Sequence, residues 1–77
     1  MKTVKVLGSG CNNCKVTAKL IADVAQAKGV AVTVEKVEEI REIMAYGVLS
    51  TPGVVIDETV VHAGGVPTRA KVESWLQ

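Results

Sequence analysis

The sequence predicts an α/β fold in the order β-α-β-α-β-β-α, a four-stranded mixed sheet with helices on both faces. Three observations predict it. Valine-rich runs with strand alternation bracket a long segment of helical period between Lys15 and Lys28. A continuous apolar run, Val54-Val55-Ile56, is followed after Asp57-Glu58 by a second β-branched run at 59–63, as in a hairpin. The chain has 77 residues and is 48% hydrophobic, chiefly Val, Ala, Ile and Leu with no Phe, which suits a sheet covered by helices in a single domain spanning 1–77.

Residues 3–7 form the first expected strand, with Val4 and Val6 on either side of Lys5. Gly8, Ser9 and Gly10 break it and let the backbone turn. From Asn12 or Asn13 a helix follows, with Val16, Leu20, Ile21, Val24 and Ala27 as its apolar stripe and Gly29 as its left-handed cap. Val30, Val32 and Val34 alternate as a second strand, making a right-handed βαβ unit with parallel strands. Residues 38–46 read as a shorter helix with Ile40, Ile43 and Met44 on its apolar face and Gly47 at its end. After the hairpin, Gly64-Gly65 break the chain, and Pro67 and Thr68 open a last helix with Val72, Trp75 and Leu76 inward. The first and last helices are expected on one face of the sheet and the middle one on the other.

Both cysteines lie in Gly8-Ser9-Gly10-Cys11-Asn12-Asn13-Cys14, where the first strand passes into the first helix. Two cysteines three positions apart at a helix start point to the same side, with Cα atoms close enough to bridge. The free N–H groups of the first turn and the positive end of the helix dipole favour a thiolate there. No secretory leader is visible in the sequence and no apolar run approaches the roughly 20 residues that span a bilayer, so the expected location is the cytoplasm, with no membrane partner. In that compartment a thiol pair suits catalysis or a soft metal better than a structural staple. Net charge is +1 with basic residues scattered, which excludes a nucleic-acid footprint.

Cys11-Asn12-Asn13-Cys14 after the first strand and Tyr46-Gly47-Val48-Leu49-Ser50-Thr51-Pro52 before the third resemble the thioredoxin superfamily, and specifically its small glutaredoxin-sized redox-active disulfide proteins. The resemblance covers essentially the whole chain and implies a minimal thioredoxin-like fold. It implies a thiol–disulfide oxidoreductase with Cys11 as nucleophile and Cys14 as resolving thiol. Pro52 would be a cis proline facing the disulfide, and the Thr51 backbone would bond an extended peptide, with Gly64 and Gly65 beside them in the substrate groove. A simple strand-to-helix turn is the other reading of those two glycines. No cofactor is implied beyond the Cys11–Cys14 disulfide, and no metal. The implied partners are a protein disulfide substrate and a thioredoxin-reductase-type or other dithiol reductase, acting on a monomer.

The chain departs from thioredoxin at several positions. Asn12-Asn13 stands where thioredoxin has Gly-Pro, and Lys5 occupies the place of its buried proton-transfer aspartate. Near the thiols Lys5 would stabilise a thiolate; turned to solvent it would do nothing. The cysteine loop is also similar to that of small copper-chaperone domains, where two thiolates bind Cu(I). Those domains have a hairpin directly after the second strand, where this sequence predicts a helix. A thioredoxin-like binding module without chemistry is a third reading. His62 reads as a surface or edge residue, Tyr46 as packing at a helix end, Trp75 as core or an anchor for the last helix, and Lys15 as solvent-facing.

Overall fold

The computed structural model describes residues 2–8 and 12–76. The elements follow the expected order: β1 (Lys2–Leu7), α1 (Asn12–Lys28), β2 (Val32–Val37), α2 (Ile40–Ala45), β3 (Gly53–Ile56), β4 (Thr59–Ala63) and α3 (Arg69–Trp75). The strands lie in the order β2-β1-β3-β4, with β1 parallel to β2 and antiparallel to β3, so the sheet is mixed. A helix, not a hairpin, follows β2, which rules out the copper-chaperone order.

The strands alternate across two cores. Val4 and Val6 of β1 join Val54 and Ile56 of β3 beneath α1 and α3, in one cluster with Ile21, Val24, Val72 and Leu76. Leu7 and Val55 point the other way, toward α2, and pack with Val37, Ile43 and Val48. This period-two division is what places helices on both faces.

Helix ends are set by local chemistry. After α1, Gly29 adopts φ +68°, its N–H donates to the Gln26 carbonyl at 3.2 Å, and Val30 N–H donates to Ala25 at 2.9 Å. After α2, Gly47 adopts φ +76° with the same pair of bonds, to Met44 at 2.8 Å and Ile43 at 3.4 Å. Both are Schellman ends, in which a left-handed residue returns two N–H groups to otherwise orphaned carbonyls. At the start of α3 the Thr68 side chain accepts from Lys71 N–H at 3.2 Å. The reversal from β3 to β4 has Asp57 at φ 49° and Glu58 at φ 69°, the two positive values of a type I′ turn.

Several expectations require correction. The buried stripe of α1 is Cys14, Thr17, Ala18, Ile21, Val24 and Ala25, rotated from the expected one, and Val16 and Ala27 are exposed. Ile21 and Val24 supply its large side chains and Cys14, Thr17, Ala18 and Ala25 its small ones, and Thr17 is tolerated there because its hydroxyl donates to the Asn13 carbonyl at 2.7 Å. In α2, Ile43 is buried but Ile40 and Met44 are 62% and 61% exposed. Six residues give this helix less than two turns, so one side chain reaches the sheet. The second strand begins at Val32 rather than Val30, because Val30 closes the end of α1.

Candidate functional site

Cys14 sits in the first turn of α1 with its side chain turned into the α1/α3 core, 7% exposed. Cys11, expected as the nucleophile, lies outside the described residues together with Ser9 and Gly10. The end of β1 determines how Cys14 is seated. A Cβ atom built on Gly8 would overlap Cys14 Sγ and would stand 3.4 Å from Thr51 Cβ. Gly8 continues the sheet, its N–H donating to the Val37 carbonyl at 2.9 Å. Its role is therefore close approach rather than the turn that the sequence suggests: the bare backbone is what admits the sulfur. Sequence pattern alone does not distinguish these two uses of glycine.

The same point brings in the loop before β3. The Thr51–Pro52 peptide is cis, Thr51 is exposed and Pro52 is fully buried. Pro52 offers its carbonyl to Gly64 N–H at 2.9 Å, which ties the loop after β4 to the loop before β3. A Cβ on Gly64 would lie 3.2 Å from Ser50 Cβ, so the two loops touch backbone to side chain. Gly64 and Gly65 have φ of +83° and +70°, a conformation that side-chain-bearing residues rarely adopt. Cys14, Gly8, Thr51, Pro52 and Gly64 thus converge at one end of the sheet. Leu49, 89% exposed, and the exposed Val66 flank that end on the two loops.

The Thioredoxin domain family model matches residues 2–77. The chain belongs to the thioredoxin superfamily. It is 27% identical over 77 residues to a thioredoxin of Methanocaldococcus jannaschii, covering 100% of this chain and 88% of that one. To a thioredoxin of Methanothermobacter thermautotrophicus it is 25% identical over 76 residues, covering 99% of each. In fold it is similar to chloroplastic thioredoxin z, with a TM-score of 0.73 at 15% identity over 99% of this chain and 75% of that one. The oxidised form of mitochondrial thioredoxin 3 from Saccharomyces cerevisiae gives 0.69 at 18% identity, covering 97% and 76%.

Lys5 behaves differently from either expectation for this thioredoxin-like chain. It neither contacts Cys14 nor points freely to solvent. It projects on the α2 face, where its ammonium donates to Tyr46 Oη at 2.9 Å and to Glu58 Oε1 at 3.0 Å, and lies 5.6 Å from the Tyr46 ring centroid. Tyr46 Oη in turn donates to Glu58 Oε2 at 3.2 Å. The hydrogen bond to Tyr46, then the one to Glu58, raises the Lys5 pKa above its ordinary value. Lys5, then Tyr46, holds the Glu58 carboxyl below its usual range. The triad joins β1, the end of α2 and the β3–β4 turn. Tyr46 is thus more than packing, and this was not legible locally because its partners are 41 and 12 residues away.

His62 and Trp75 form a second polar group, on the opposite face. The His62 ring lies 6.0 Å from that of Trp75, with interplanar angle 53°. Trp75 is half-buried against the α1/α3 core, and Lys15 is exposed as expected.

Proposed function

We propose that this thioredoxin-superfamily chain is a thiol–disulfide oxidoreductase acting on protein disulfides through Cys11 and Cys14. The observation that carries the reading is the convergence on Gly8, where Cys14 Sγ and the Thr51–Pro52 loop meet at the start of α1. Family membership over residues 2–77 supports thiol–disulfide chemistry at the general level.

In the reaction, Cys11 thiolate attacks one sulfur of the target disulfide. A mixed disulfide forms, the target S–S bond breaks, and the first target thiolate leaves and takes up a proton. Cys14, deprotonated, attacks the Cys11 sulfur, forming the Cys11–Cys14 disulfide and releasing the second target thiolate. Two electrons pass from the dithiol to the target. Cys11 immediately precedes Asn12, the first residue of α1, so the helix N-terminus favours its ionised form. Burial of Cys14 suits the resolving role, since an enclosed thiol meets the mixed disulfide but not bulk oxidant. Thr51 offers backbone groups to an extended substrate segment, as an added strand would use them. Gly64 and Gly65 form the opposite wall, where absence of a side chain lets a substrate backbone come close.

No cofactor is required beyond the Cys11–Cys14 pair. A dithiol reductase of thioredoxin-reductase type would return electrons to it, and the protein would act as a cytoplasmic, single-domain monomer. No helix among the described residues is long and apolar enough to cross a membrane.

Insulin reduction with dithiothreitol as electron source tests the reading. The wild type should accelerate precipitation of the insulin chains, and Cys11→Ser should fall to the uncatalysed rate. Equal rates for the two proteins would leave a binding module without chemistry.

A further inference from the structure

We propose that His62 is a positioning residue for exchange with protein disulfides, holding the Gly65 carbonyl and through it the Gly64–Gly65 wall of the groove. The inference rests on the oxidoreductase reading above and adds to it a residue outside the thiol and proline loops.

The backbone first explains why His62 points where it does. In the β3–β4 ladder Val54 pairs with His62 but Val55 pairs with Val60, so β4 carries a bulge at Val61. A bulge gives one strand an extra residue and re-aims the side chains around it. Here Val61 packs against the α1/α3 core, and His62, the next residue, also reaches α3 through the Trp75 ring. In regular alternation these neighbours would face opposite sides.

The two ring nitrogens then meet partners of opposite kind. Nε2 is 2.9 Å from the Gly65 carbonyl oxygen, and Nδ1 is 2.9 Å from Lys71 Nζ. A carbonyl can only accept and an ammonium can only donate. Both partners therefore call for the same neutral tautomer, with the proton on Nε2 and the lone pair on Nδ1. The Lys71 ammonium sets the tautomer, and the Nε2–H it enforces is aimed at Gly65.

What this bond restrains is a segment with little else to restrain it. Two successive glycines at positive φ have more backbone freedom than any other pair. Gly64 is tied to Pro52 by its N–H, and Gly65 is tied to His62 by its carbonyl. The first bond links the glycine wall to the proline loop, and the second links it to β4 and α3. Without the second, the Gly65 peptide can rotate and the wall opposite Thr51 loses its fixed shape.

The effect should fall on docking of a protein substrate rather than on sulfur chemistry. KM and kcat for insulin reduction would be measured for the wild type, His62→Leu, His62→Gln and Lys71→Met. Loss of one hydrogen bond corresponds to roughly a fivefold to tenfold change in an equilibrium constant. His62→Leu should raise KM by about that factor, with kcat within about twofold. His62→Gln keeps an N–H donor of similar reach and should recover most of the loss. Lys71→Met leaves the ring in place but frees its tautomer and should raise KM about twofold; it also serves as the test if His62→Leu does not fold. Nitrogen-15 NMR of the wild-type ring should show the Nε2–H tautomer.

Wild-type KM in both His62→Leu and Lys71→Met, a Gln variant no better than Leu, or an Nδ1–H tautomer would overturn the inference while leaving the oxidoreductase reading intact. A wild type without turnover would instead remove that reading, and the positioning role with it.

Discussion

Beneath α1 and α3, the sheet carries a continuous apolar core running from Val4 and Val6 through Ile21 and Val24 to Val72 and Leu76. Beneath α2, the buried residues are Leu7, Val37, Ile43, Val48 and Val55, and the helix leaves Ile40 and Met44 in solvent. The polar Lys5–Tyr46–Glu58 triad stands beside this smaller core. Cys14 belongs to the larger core and the Thr51–Pro52 loop issues from the smaller one, after Val48. The site thus joins two unequal cores: Cys14 is held in the larger one by α1 and α3, and the loop facing it is held by the buried Pro52 and Val48 together with the Pro52–Gly64 hydrogen bond.

That asymmetry can be broken most severely on the large face. Ile21→Ala should cost about 3–4 kcal/mol in urea unfolding, whereas Ile43→Ala should cost about 2 kcal/mol, because α2 can collapse onto the space it leaves. Equal losses would contradict the unequal anchoring. The next effect contrasts two glycines used for close approach, one per face. Gly8→Ala drives a methyl into Cys14 Sγ and should cost about 2–3 kcal/mol, with roughly tenfold slower insulin reduction. Gly53→Ala places its Cβ 2.9 Å from Cγ1 of the buried, β-branched Val48, which has little freedom to give way, and should cost about 2 kcal/mol with a smaller loss of activity, since the clash lies away from the sulfur. A Gly8→Ala protein with wild-type kinetics would show that the sulfur does not need that space.

The triad should respond to pH with a defined sign. Glu58 is held below its ordinary pKa by Lys5 first and Tyr46 second, so its contribution is present above the unfolded carboxylate value and is lost as pH falls through the folded one. Lys5 is raised, chiefly by Tyr46, so its contribution is present below the unfolded lysine value and is lost as pH rises through the folded one. Tyr46→Phe should therefore destabilise less than either glycine change and flatten the acid limb of the stability profile, measured by urea midpoints from acid to neutral pH. An unchanged acid limb would show that the Tyr46 hydrogen bond to Glu58 does not couple to folding. The smallest effect belongs to the exposed pair: Ile40→Lys and Met44→Lys should each change stability by no more than about 0.5 kcal/mol.

Much of the architecture was legible because local chemistry and global fold agree. Gly29 and Gly47 end helices where they stand after the last apolar residue, Thr68 caps α3, and Asp57-Glu58 turns between two β-branched runs. The expected stripe of α1 differs from the buried one because the larger apolar side chains of Val16 and Leu20 outweigh Cys14, Thr17 and Ala18 in a hydrophobic pattern, although it is the smaller three that face the core. Ile40 and Met44 fit a helical face in sequence, but so short a helix has no second turn to bury them. Lys5 could not be read because its partners, Tyr46 and Glu58, lie 41 and 53 residues away. The bulge that turns His62 toward α3 has no glycine to announce it.

The proposed activity requires that Cys11 and Cys14 cycle as a dithiol and disulfide. Equilibration of the wild type in dithiothreitol buffers of stepped potential, followed by thiol labelling and mass measurement, tests it directly. The expected result is a single reversible two-electron transition in which both cysteines change together, absent from Cys11→Ser and Cys14→Ser. Thiols that label independently of each other, or no reversible transition across the range, would contradict it.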